Sequence, residues 1–99
     1  MAGRVIDRLR AKIRAGQYVV PFHAADALDD DEISILDVEH IVLTGEIIER
    51  QRDPQTRERK YVIEGETLDG QTACCVAKIG PTAQAVIITA WVEQGDQPM

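Results

Sequence analysis

The stretch EIIERQRDPQTRERKYVIEGETLDGQTACCVAKIGPTAQAVIITAWV, Glu46 to Val92, decides the fold. It reads as four strands in series: Glu46 to Arg52, Arg59 to Leu68, Thr72 to Ile79 and Gln84 to Val92. The breaks at Asp53-Pro54, Leu68-Asp69-Gly70-Gln71 and Gly80-Pro81-Thr82 are too short for crossover helices, so the strands should run antiparallel as a meander. Tyr61, Ile63 and Gly65 alternate with Val62, Glu64 and Glu66, and Ala73, Cys75, Ala77 and Ile79 alternate with Thr72, Cys74, Val76 and Lys78. The first set of each strand is expected to face a layer of helices. The last strand is apolar at almost every position. Val86, Ile88, Ala90 and Val92 are therefore expected on its second face, as a surface that invites a partner chain. The Asp69-Gly70 pair is expected to form a two-residue type I′ turn.

Working outward, the chain before Glu46 must supply that helical layer. Val5, Leu9 and Ile13, beside Ile6, predict a helix over 4–15 ended at Gly16, with Arg4, Arg8 and Lys12 on an adjoining stripe. That stripe reads as a solvated or internally paired face, or as a surface for RNA or an acidic partner. Tyr18 to Phe22 is short, β-prone and closed by Pro21. His23 to Leu28 suits a helical turn or two that buries Phe22, Ala24, Ala27 and Leu28. Asp29 to Glu32 are successive carboxylates and belong in a solvated turn; they lack the alternation and central Gly of a calcium loop. Ser34 opens the clearest helix, 34–44, with Asp37 in its first turn, Ile35, Val38, Ile41 and Val42 as its buried stripe, and Gly45 at its end. His40 belongs at the edge of that stripe. The expected fold class is thus α+β: a four-stranded antiparallel meander, which a short fifth strand near Tyr18 to Val20 can join, packed on one face by N-terminal helices. An N-terminal helix (1–17), a sheet-bearing domain (18–93) and a flexible tail (94–99) make one domain overall.

At 99 residues there is room for one core. No apolar run approaches the roughly 20 residues of a membrane span, and the N-terminal basic residues interrupt any signal-peptide core, which leads to an expectation of a cytoplasmic protein without a membrane partner. Cys74 and Cys75 are adjacent in a strand and should point to opposite faces, as packing residues; neither a disulfide framework nor a metal site is expected, and no cofactor motif appears. The net charge of −6 is segregated. Residues 22–49 carry acids and no Lys or Arg, whereas Arg50, Arg52, Arg57, Arg59 and Lys60 cluster just beyond. Overall acidity disfavours unspecific nucleic-acid binding but leaves a local basic surface.

His23-Ala24 before an acidic turn, Ile33-Ser34 opening a helix, Thr44 to Glu49 after it, Lys60-Tyr61, Leu68-Asp69-Gly70 and finally Val86 to Trp91 together resemble one family, the small prokaryotic domain of unknown function 4258. The resemblance covers about residues 18–93. That family is distantly similar to the RelE, ParE and BrnT toxins, so the resemblance implies a toxin-like α+β fold. The family's helix after the histidine typically reads H-A-R-x-R-x-x-x-R-G-I; here Ala25, Ala27, Asp31 and Glu32 stand in the matching places. Cys74 stands where a histidine is often found.

Two functions follow. One is a non-catalytic interaction module that binds a partner protein, such as an antitoxin-like chain, or a second copy of itself through Val86, Ile88, Ala90 and Val92. The other is an RNA-cleaving toxin, with His23 as general acid or base and Arg50, Arg52, Arg57 and Arg59 gripping the anionic RNA. The lost arginines and the two-sided apolar strand favour the first.

Overall fold

The computed structural model describes residues 4–93. Three helices, α1 (Val5–Arg14), α2 (Phe22–Asp30) and α3 (Ile35–Thr44), accompany five strands, β1 (Tyr18–Val19), β2 (Glu46–Arg52), β3 (Arg59–Glu66), β4 (Thr72–Ile79) and β5 (Ala85–Val92). The expected meander is present: the sheet order is β1-β5-β4-β3-β2, with antiparallel pairing throughout β2 to β5. The short fifth strand is parallel to its neighbour, with Tyr18 opposite Ala85 and Val19 opposite Val86, so the sheet is mixed.

α1 is amphipathic and ends as its sequence requires. Ile6, Leu9 and Ile13 are buried. Gly16, at φ +72°, lets the Gly16 and Gln17 amides turn back to the carbonyls of Ile13 and Lys12, a Schellman close. α3 opens with a complete capping box: the Ser34 hydroxyl accepts from the Asp37 amide and the Asp37 carboxylate accepts from the Ser34 amide. Asp37 also accepts the Leu68 amide at 2.9 Å and so ties the β3–β4 turn to the helix. Val38, Ile41 and Val42 are buried as expected, but Ile35 and Leu36 are exposed. The first turn of α3 extends past the sheet.

α3 lies with its backbone on β3. A Cβ on Gly45 would stand 2.5 Å from the Glu64 carbonyl oxygen and 2.6 Å from that of Ile41, and one on Gly65 would stand 3.0 Å from the Gly45 Cα. Gly45 is extended, at φ −95°, so it is required by this approach and not by a left-handed cap. Arg10 of α1 crosses to the same point, donating from Nη2 to the Gly45 carbonyl at 2.6 Å and from Nε to the Val42 carbonyl at 3.3 Å. A guanidinium at the carbonyl end of α3 also complements the helix dipole.

Other expectations need correction. α2 is a full helix through Asp30 and not a turn or two, so the acidic run closes a helix; the left-handed Glu32, at φ +57°, makes the turn. Ala24 and Leu28 are buried, but Phe22, the first residue of α2, is 93 % exposed. β3 ends at Glu66 and not Leu68. The hairpin after it is a three-residue loop: Gly70 donates to the Thr67 carbonyl, Thr67 donates to that of Gln71, and of the Asp69-Gly70 pair only Gly70 has positive φ, at +86°. This is a type I turn followed by a left-handed glycine, in place of type I′. The expected fraying tail, 94–99, lies outside the described residues.

Substituting Gly65→Ala should cost about 3 kcal/mol, the upper part of the usual overpacking range, because backbone must move on both sides. Equilibrium urea denaturation checks this, and an unchanged midpoint would contradict the close approach. A second expectation concerns acid. Backbone donors, first Ser34 and then Leu68, hold the Asp37 carboxyl below the ordinary carboxylate range. A depressed folded value means the contribution is present at neutral pH and lost as pH falls through that value. Asp37→Asn should therefore flatten the decline of the urea midpoint between about pH 6 and about pH 3. Equal declines in both proteins would contradict this.

Candidate functional site

Cross-strand partners share a face, so the ladder assigns each candidate residue to a side of the sheet. Tyr61, Ile63, Ala73, Cys75, Ala77, Ala85, Ile87 and Ala90 form the core beneath α1 and α3, and Val62, Cys74 and Val76 form a second cluster on the other side with Ile88 and Trp91. We call these the inner and outer faces.

The four residues expected as an interface divide between them. Val86 and Ile88 stand on the outer side, but Ala90 is buried in the inner core and Val92 packs against it. The cause is a bulge in β5. Val76 opposes Thr89 while the next residue, Ala77, opposes Ile87, so Ile88 is an extra residue and the alternation reverses after it. Trp91 takes the outer position that strict alternation gives to Ala90. Val19, opposite Val86, is exposed at the margin, next to the N-terminal end of α2 with Phe22.

His23 is exposed and lines a shallow hollow of about 290 Å³ with Lys60, Lys78, Glu58 and the β5 segment Val86 to Ile88. Lys78 donates to both Glu58 carboxylate oxygens at 3.0 Å. The arginines expected to serve His23 lie elsewhere. Arg50 opposes Tyr61, an inner-face residue, and Arg52 opposes Arg59 two residues further along the same side. Arg50 and Arg59 border hollows against α1, and Arg57 sits in the β2–β3 turn at φ +67°. The sheet thus stands between His23 and Arg50, Arg52 and Arg59, and the charged groups that line the hollow with His23 are two ammonium groups and one carboxylate.

The cysteines point to opposite faces as expected, both buried and unpaired. Cys74 gathers an unforeseen cluster: its sulfur and one carboxylate oxygen each from Glu64 and Glu93 lie within 4.8 Å of one another. Such a set could supply three donors to a divalent cation; the sequence reading weighed only Cys and His ligands and so passed over it. Glu93 also accepts the Trp91 indole N–H at 2.6 Å. Burial, then the charges of Glu93 and Glu64, pushes the Cys74 thiol up to about 12, which keeps it protonated and poorly nucleophilic. His40, half-buried at the edge of α3, lies with Nδ1 2.8 Å from the Glu66 carbonyl, which it can reach only as a donor, consistent with a packing role. Tyr18 donates to Glu39 at 2.5 Å, pinning β1 to α3, and that carboxylate raises the phenol to about 12.

Trp91, Lys60 and Lys78 are outer-face residues, and Phe22 an exposed aromatic, that the expected site did not include. The two lysines carry a legible signal, since each lies on the outward phase of its strand.

Residues 22–92 match the family model described as Domain of unknown function (DUF4258). No curated protein and no solved structure matches the chain. The protected thiols give the test here: Cys74 and Cys75 should resist a disulfide reagent at about pH 8, where an ordinary thiol is partly ionised, and react in denaturant. Rapid reaction of the native protein would contradict the geometry around Cys74.

Proposed function

For a chain that belongs to the DUF4258 family, with this outer face, we propose a non-catalytic protein-interaction module whose outer sheet face docks a second copy of itself. The observation that carries the reading is the layout of that face. Half-buried Ile88 and Trp91 cover the buried Val62 and Val76 as its apolar part, with Lys60, Lys78 and the Glu58 paired to Lys78 toward one end and Glu64 and Glu93 toward the other. A two-fold axis lying in the interface and across the strands brings the basic end of one copy over the acidic end of the other, while the apolar middle meets itself. A solvated outer face also leaves Phe22, 93 % exposed at the start of α2, without a contact, and an exposed phenylalanine is a natural anchor for a partner.

The catalytic alternative, an RNA-cleaving toxin, has less support. It needs phosphate-gripping cations within reach of one acid or base. His23 and the arginines Arg50, Arg52 and Arg59 are on different sides of the sheet.

Sedimentation velocity at high micromolar concentration should show a dimer. Ile88→Lys and, separately, Phe22→Ser should release monomers, the first by placing an unpaired charge in the contact. Neither should lower the urea midpoint enough to unfold the chain. A wild-type monomer at that concentration would overturn self-docking, and a monomer that instead retains a single partner of another sequence through Phe22 would replace the second copy with that partner.

A further inference from the structure

On the inner side of the sheet, between α1 and the β2 edge, the chain gathers more arginines than carboxylates. Two adjoining hollows share Val5 and Arg50. One, of about 350 Å³, is bordered by Arg4, Arg10, Arg50 and Glu46. The other, of about 260 Å³, continues along the strands past Arg50, Gln51 and Arg59. We propose that this trough, between the first turn of α1 and the β2–β3 ladder, binds a compact polyphosphate-type anion.

The charge balance points that way. Arg4 and Arg10 share a single carboxylate, Asp7, at 3.4 and 3.7 Å. Among the described residues, Arg50, Arg52 and Arg59 form no ion pair, and Arg52 faces Arg59 directly across the ladder. Like charges in directly opposed positions destabilise a sheet, and they do so at an edge where any polar residue would be accommodated. Arg52 lines neither hollow, but an anion held at Arg59 offsets the repulsion between the two. Arg10 is already fixed by the Val42 and Gly45 carbonyls, so one wall of the trough is organised before any ligand arrives. The planar guanidinium fork matches phosphate oxygens in pairs, which lysine does not.

The size of the ligand follows from the surroundings. The chain carries a net charge of −6, and Glu46 stands at the mouth of the first hollow. A long polyanion would extend past the trough over a chain of net negative charge, whereas a compact one meets mainly arginine. The trough lies on the opposite side from the docking face, so occupancy of one leaves the other accessible.

Isothermal titration of the full chain with tripolyphosphate, at about physiological ionic strength, tests the proposal. Binding is expected, and Arg50→Gln and Arg59→Gln should each weaken it about ten- to a hundredfold, the loss of a charge-assisted contact. His23→Ala, across the sheet, should leave it unchanged. A parallel readout needs no ligand: Arg52→Gln should raise the melting temperature of the unliganded protein and reduce the rise that tripolyphosphate produces. Absence of binding at millimolar tripolyphosphate, or binding undiminished in an Arg50→Gln, Arg59→Gln double variant, would overturn the site. Tighter binding of a twelve-nucleotide single-stranded RNA than of tripolyphosphate would overturn the compact ligand.

Discussion

The contact of α3 with β3, backbone on backbone at Gly45 and Gly65, is the constraint on which the other placements depend. It sets the height of the helical layer, and so it fixes which residues of the meander are covered. Val38, Ile41 and Val42 reach the inner face only because no side chain stands between helix and strand there. The same junction receives Arg10 and, at the other end of α3, the Asp37 bond to Leu68, so that α1, α3 and the β3–β4 turn are locked to one another by polar contacts around an apolar center. Close packing of this kind tolerates little change in volume.

With the inner face fixed, the bulge at Ile88 determines what the outer face displays. It turns Ala90 and Val92 inward and brings Trp91 out, so the outer surface has a large aromatic side chain over Val62, Cys74 and Val76. The acidic and basic groups then fall at opposite ends of the strands. Any second copy or partner would be oriented by that polarity as well as held by the apolar middle. The arginines of β2 and β3 project to the other side, where Arg50 and Arg59 border α1. The two charged surfaces consequently lie on opposite sides of the sheet, and Arg50, Arg52 and Arg59 are not assembled around His23.

The meander, the faces of β3 and β4, the two main helices and the Ser34 cap were legible because each is written in local alternation, periodicity or capping chemistry. The register across the β3–β4 hairpin was not, since it depends on a three-residue loop in place of the expected two-residue turn. The split of the adjacent cysteines between faces follows from the same alternation. The β5 bulge was not legible: Ile87, Ile88, Thr89 and Ala90 offer no polar and apolar contrast to mark a slip of one residue. Phe22 was misplaced because its burial depends on where the N-terminal end of α2 stands relative to the sheet edge, a tertiary relation that helical periodicity does not carry. The separation of His23 from the arginines is likewise a matter of strand pairing. They were joined only as the histidine and the arginines of the region that resembles the family, and Arg50 opposing Tyr61 places them apart.

Trp91 is the single tryptophan of the chain and lies on the face assigned to docking, so its emission reports that face directly. Fluorescence should be followed as the protein is diluted from high micromolar to low nanomolar concentration, with Ile88→Lys as the control. The account predicts a red shift on dilution of the wild type, as the indole returns to water, and a constant, already red-shifted spectrum for the variant. A wild-type spectrum that is the same at every concentration, and the same as that of Ile88→Lys, would contradict docking through the outer face.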